Sequence, residues 1–202
     1  PRLAPLIAAI AVSFILETSI QLKFGSSVIQ YPTLFPAGGF QFGAVTVRYL
    51  YIFIVVLAVA LMFALDRLIR KTKIGRAMRA TAQDPEAAAL MAVNINRTIS
   101  ITFFIGGALA GAGSVVYGLY SSGVKFNTGF ELGLVAFTAA VLGGIGNIYG
   151  AVLGGLLIGL VQAFTIQFFG DQWRDVAVFG VLVLIFIFKP SGLLGQQVPD
   201  KV

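Results

Sequence analysis

Nothing constrains this chain more than its apolar runs of about twenty residues, each as long as a bilayer-crossing helix. They run from Leu3 to Leu22, from Val47 to Leu65 and from Thr98 to Leu119. At about 1.5 Å per residue, each crosses a hydrocarbon core of about 30 Å. Hydrocarbon offers no partner to a backbone N–H or C=O, so such runs must be helices. With 58% hydrophobic and only 11% charged residues among 202, the chain lacks the polar surface to coat a soluble globule. The expected fold is an all-α integral membrane protein of about six membrane segments, forming a single transmembrane domain over residues 1–202.

One charged island interrupts the apolar pattern. From Arg67 to Arg97 there are seven basic residues, Arg67, Arg70, Lys71, Lys73, Arg76, Arg79 and Arg97, against Asp84 and Glu86. That balance of +5 is most of the chain's net +6. The basic residues flank apolar runs and do not alternate with aromatics, so positive-inside topology explains them better than nucleic acid does. The island is expected on the cytoplasmic face, with Arg67 to Thr81 continuing the preceding helix out of the membrane. Asp84, Pro85 and Glu86 then form a helix start: an acidic N-cap, proline at the first position and a second acid at the positive end of the dipole. A helix from Pro85 to about Val93 is too short to stand alone in water. Its stripe of Ala87, Leu90 and Met91 must pack either on the chain's own helices or on a partner.

Elsewhere the pattern is read from turn residues and glycines. Lys23 to Thr46, with Pro32, Pro36 and Gly38-Gly39, reads as a turn-rich outer loop, in which Tyr31, Phe35, Phe40 and Phe42 suit an interfacial belt. Glu17 is the one acid within the first run; it lies at the interface or has a function in the membrane. Gly107 and Gly111 give the third run a GxxxG pair for close helix contact. Glu131 to Phe169 is the least ordinary stretch, with about fifteen apolar residues before a Gly143-Gly144-Ile145-Gly146-Asn147 break. A short, glycine-interrupted segment suits a broken or re-entrant helix lining a path, or else a tight hairpin without one. Gly146, Gly150, Gly154, Gly155 and Gly159 repeat the GxxxG spacing beyond the break. The last crossing runs from Val176 to Phe188. Counting six crossings that start inside puts ten basic residues (Arg2, the seven of the island, Lys189 and Lys201) on the cytoplasmic side, against Lys23, Arg48, Lys125 and Arg174 outside.

The absence of cysteine and histidine removes disulfides, thiolate and imidazole chemistry and the commonest zinc ligands. No catalytic or metal-binding residue is expected, and there is no GxxxxGK[ST] phosphate loop. Pro1, followed by an apolar run without a basic leader or cleavage site, reads as the start of a chain in mid-protein.

Two segments carry a resemblance: GRAMRATAQDPEAAALMAVN from Gly75 to Asn94, and AFTAAVLGGIGNIYGAVLGGLLIGLVQA from Ala136 to Ala163. With the later KPSGLLG, their order and spacing resemble the permease subunits of bacterial branched-chain amino-acid ABC importers along nearly the whole length. The resemblance implies a multi-pass permease of the bacterial inner membrane, preceded in the family by further N-terminal helices, with its C-terminus and a coupling loop at about 67–97 in the cytoplasm. It implies that Gly75, Arg76, Ala77, Arg79, Asp84, Pro85, Glu86, Ala87, Leu90 and Met91 form a coupling helix docked on ABC ATP-binding subunits. ATP and Mg would be held on those subunits, with no cofactor on this chain. A second permease subunit, identical or not, an extracytoplasmic solute-binding protein and the lipid bilayer complete the implied partners. The family usually has glycine where this chain has Ala92, and often Gln-Asn where it has Glu17-Thr18. The expected pathway residues are Glu17, Phe137, Thr138, Asn147 and Gln162, suited to a small neutral solute. A stand-alone secondary transporter or channel is the alternative, but it would need embedded ionisable groups beyond Glu17. A membrane scaffold without transport is a third possibility.

Overall fold

The computed structural model describes residues 4–32, 38–42, 45–189 and 191–195. Among them are six helices of fifteen residues or more: α1 (Ala4–Phe24), α2 (Tyr49–Lys71), α5 (Ile95–Ser121), α6 (Thr128–Gly143), α7 (Ile148–Phe169) and α8 (Arg174–Phe188). By length and composition α2, α5 and α7 can cross a membrane, and α6 is a shorter apolar helix. Sixteen residues give α6 a length of about 24 Å, short of a full hydrocarbon core. The expected all-α membrane fold with one short segment at a glycine-rich turn is what forms. Phe35, Arg2 and Lys201 lie outside the described residues.

The chain divides into two units. The first, Pro1–Ala58 with Ile99–Phe130, holds α1 and most of α5. The stretch read from sequence as a turn-rich loop also contains short strands here. β1 (Ile29–Gln30) pairs antiparallel with β4 (Gly123–Val124), and β2 (Gly39–Phe42) forms a hairpin with β3 (Val45–Arg48). Alternation in FQF and VTV suits such pairing, which turn signals alone hid. The Tyr31 N–H donates to the Ser122 carbonyl at 3.1 Å, and its ring covers Gly118, where a Cβ would come within 2.8 Å of it. Phe14 meets Phe130 at 5.9 Å between ring centroids.

The second unit, Val59–Thr98 with Glu131–Val202, holds the charged island and α6 to α8. Its core is Ala139 and Leu142 from α6, Ile158 from α7 and Val178 from α8, flanked by Val135, Val181 and Ile185. The island forms two short helices, α3 (Lys73–Gln83) and α4 (Pro85–Leu90). The expected continuous helix from Arg67 to Thr81 does not form. Instead, α2 ends at Lys71 and Thr72 starts α3 afresh, with extended backbone (φ −98°, ψ 161°) and its hydroxyl accepting from the Gly75 N–H. A threonine that bonds the backbone locally competes with helix propagation, and here it becomes an N-cap.

Candidate functional site

The island is built by caps. At the first elbow the Thr72 hydroxyl also donates to the Leu68 carbonyl at 2.6 Å. Gly75 is buried against the end of α2, where any Cβ would strike the carbonyls of Leu68 and Ile69. Only glycine lets α3 fold back so closely. The Arg79 guanidinium donates to the Ile69 carbonyl and draws α3 onto the same turn.

At the second elbow a single residue ends one helix and starts the next. The Asp84 N–H donates to the Ala80 carbonyl at 3.1 Å, closing α3. Its carboxylate accepts from the N–H groups of Glu86 (3.0 Å) and Ala87 (3.1 Å), opening α4. Pro85 takes the first helical position and Glu86 lies exposed in the first turn, as the sequence predicts.

The far end of α4 closes in a Schellman motif. The Val93 N–H donates to the Ala88 carbonyl at 3.1 Å and the Ala92 N–H to the Ala89 carbonyl at 3.0 Å. Ala92 holds φ at +60°, a left-handed conformation that glycine adopts far more readily. A left-handed turn is therefore made here with an alanine. Asn94 follows at once, its side-chain oxygen accepting from the Arg97 N–H at 3.0 Å to cap α5.

Within this frame the apolar residues of α4 part company. Ala88 is 3% exposed and anchors the helix, while Leu90 and Met91 are 90% and 80% exposed. Of the expected stripe, Ala87 and Met91 border a groove of about 420 Å³ between α3 and α4, which Lys73, Arg76, Ala77 and Asp84 also line. Leu90 projects alone. The expected residues Gly75, Arg76, Ala77, Arg79, Asp84, Pro85, Glu86, Ala87, Leu90 and Met91 thus fall in one hairpin, with Gly75, Arg79 and Asp84 as its joints.

The expected pathway residues are less united. Glu17 is half-buried on α1, in the first unit. In the second unit Phe137 is exposed on α6, Gln162 is half-buried on α7, and Thr138 is fully buried with its hydroxyl donating to the Leu134 carbonyl at 2.9 Å. Asn147 caps α7, its side-chain oxygen accepting from the Gly150 N–H at 3.1 Å, while its amide NH₂ donates to the Leu194 carbonyl at 3.1 Å.

Glycines also divide. A Cβ at Gly150 would strike the Gly143 carbonyl, and one at Gly154 would strike the Ala139 carbonyl and lie 2.9 Å from the Gly143 nitrogen. At these positions α6 and α7 touch backbone to backbone. An added Cβ at Gly107, Gly111, Gly146, Gly155 or Gly159 would meet no atom within 4 Å, so no such backbone collision arises there among the described residues. Gly146, with φ at +93°, serves the turn instead.

Four working parts escaped the sequence reading: Thr72, Asn94, Tyr149 and the segment 191–195. The first two are cap residues standing directly before helices, a signal that was available. The Tyr149 ring lies 5.8 Å from the Arg70 guanidinium, which also pairs with Asp66 at 2.6 Å. The segment 191–195 lies on the glycine turn between α6 and α7, and only its two glycines hinted at so close a fit.

Six long helices, apolar on surfaces that water would not tolerate, define a multi-pass helical membrane protein. The family described as branched-chain amino acid transport system / permease component matches residues 1–187, and the chain belongs to it. The high-affinity branched-chain amino acid transport system permease protein BraD of Pseudomonas aeruginosa is 44% identical over 206 residues, covering 100% of this chain and 67% of the relative. The corresponding LivH proteins of Salmonella typhimurium strain LT2 and Escherichia coli strain K12 are each 36% identical over 205 residues, again covering 100% of this chain and 67% of the relative. No solved structure matches the chain.

Proposed function

We propose that this chain is the membrane-spanning permease subunit of an ABC importer that moves branched-chain amino acids, driven by ATP hydrolysis on partner subunits. The exposed tip of α4 carries this reading. A six-residue helix capped at both ends, anchored by Ala88, presents Leu90 and Met91 almost wholly to solvent beside an open groove. Burying those two side chains on a partner would contribute about 1.5–3 kcal/mol each before the costs of association. The ring of basic residues about the hairpin favours the cytoplasmic side, where the ATP-binding subunits would dock. ATP and Mg would be held there, and this chain would contribute shape and movement. A second permease subunit would complete the path across the bilayer, and a solute-binding protein on the outer face would deliver the amino acid. The names of the relatives support this choice of solute.

The test replaces Leu90 and Met91 together by glutamate in the full-length chain. Loss of ATP-binding subunits from the purified complex, together with loss of leucine uptake, is the expected result. Undiminished assembly and uptake would rule the docking role out. Uptake that persists in vesicles without ATP would point to a stand-alone carrier.

A further inference from the structure

The C-terminal end of α6 needs partners for its last four carbonyls, which no residue of the helix can supply. The Gly144 N–H reaches two of them, those of Ala140 at 3.0 Å and Val141 at 3.2 Å. The other two are served from beyond α8: the Leu193 N–H donates to Leu142 at 2.8 Å and the Leu194 N–H to Gly143 at 3.0 Å. Leu142 and Gly143 are buried, so without these donors two carbonyls would stand unpaired in an apolar setting. The cap of α6 is thus a piece of chain brought back from the end of α8.

The fit between the two segments is close. Gly192 has φ at +76°, and a Cβ there would come within 2.5 Å of the Gly144 Cα. A Cβ at Gly144, where φ is +105°, would come equally close, at 2.5 Å, to the Gly195 Cα. Backbone lies on backbone with no room for a side chain between. Asn147 joins the same contact, since one face of its amide caps α7 and the other holds the Leu194 carbonyl. Lys189, at the end of α8, places its ammonium 3.2 Å from the Leu193 carbonyl. Three helix ends therefore meet at one short segment.

We propose that residues 191–195 are a positioning clasp that keeps the α6–α7 elbow and α8 moving as one body through the transport cycle, with Asn147 as the positioning residue that holds it. The proposal rests on the chain's membership of a permease family and stands without the ATP-coupling reading. Asn147 touches no reacting group; it acts through the backbone of α7 and of the clasp.

These 202 residues contain no cysteine, which makes thiol chemistry a clean probe once any cysteine elsewhere in the full-length chain is replaced. Ile145 and Leu194 are 76% and 43% exposed and flank the Gly144 contact, so I145C and L194C can be joined by a short bis-maleimide. The joined protein is expected to take up leucine at the unmodified rate, because a clasp that stays shut loses nothing by being tied. Asn147→Ala removes both the α7 cap and the donor to Leu194, and should lower the maximal uptake rate at least fivefold at unchanged KM, about fivefold being the scale of one hydrogen bond. Asn147→Asp keeps the α7 cap but not the donor to Leu194, and should still lose about fivefold. Tying the clasp in Asn147→Ala should restore the rate.

A second readout needs no uptake. Val141, 2% exposed, is replaced by cysteine, and its maleimide reactivity in membranes should rise about fivefold when Asn147→Ala loosens the clasp. Uptake stopped by the tie would show that the clasp must open in each cycle, and would overturn the proposal. Unchanged V141C reactivity in Asn147→Ala would do the same. If the unmodified chain moves no leucine, the solute reading fails while the reactivity measurement still decides the clasp.

Discussion

The two helical hairpins of the second unit, α3–α4 and α6–α7, solve one problem by opposite means. Both must turn the chain sharply and satisfy the polar groups left at helix ends. The hairpin in the charged island uses side chains: Thr72, Asp84 and Asn94 each reach to a nearby N–H. The apolar hairpin relies chiefly on backbone: glycines remove the side chains from the contact, and a distant segment of the chain supplies the missing N–H groups. Asn147 adds a side-chain cap at the start of α7. Where a helix end is exposed, a local cap suffices, because a frayed end can be hydrated. At the buried Leu142 and Gly143 an unpaired carbonyl is costly, and close backbone contact supplies its partner.

This contrast sets the order of the expected mutational effects. Gly154→Val should be the most damaging, because its side chain would collide with the backbone of α6, not with a flexible group. A cost of about 3 kcal/mol or more is expected, measured as loss of folded protein from detergent-solubilised membranes on heating. The same change at Gly155, which meets nothing within 4 Å, should leave the thermal midpoint of the purified chain almost unaltered. Asp84→Ala should cost about 1 kcal/mol, since it removes a side-chain cap while the backbone bond to Ala80 stays. Hydrogen exchange at Glu86 and Ala87 would report it directly, and unchanged protection there would contradict the capping role. Ala92→Gly should act in the opposite sense, stabilising α4 by about 1 kcal/mol by relieving the left-handed alanine, seen as slower exchange at Val93. Tyr149→Leu should cost less than either cap, about 0.5–1 kcal/mol from the contact with an exposed Arg70, and the cost should shrink in high salt.

How much was legible in the sequence follows the same division. The apolar runs and the Asp84-Pro85-Glu86 start announced themselves, because hydropathy and capping are local properties of residue type. The break at Thr72 was missed since its basic and apolar neighbours fit a continuing helix, and only the hydroxyl's choice of partner ends it. The stripe of Ala87, Leu90 and Met91 was drawn from spacing, yet the buried residue is Ala88. On a six-residue helix the face that anchors is set by what lies beneath it. Glycine spacing proved a weak guide: Gly150 and Gly154 bring helices together here, while Gly107 and Gly111 show the same pattern and meet nothing within 4 Å. The clasp is barely legible, since beyond its two glycines a backbone donor carries no mark of its residue type.

The double duty of Asp84 has a consequence for motion. With its own N–H fixed to α3 and its carboxylate fixed to α4, one residue is the whole linker, and its φ and ψ, −153° and 103°, are the only free torsions between the two helices. A joint with so few degrees of freedom has almost no slack. A tilt of α4 is expected to be shared by α3, whose Gly75 packs on the end of α2.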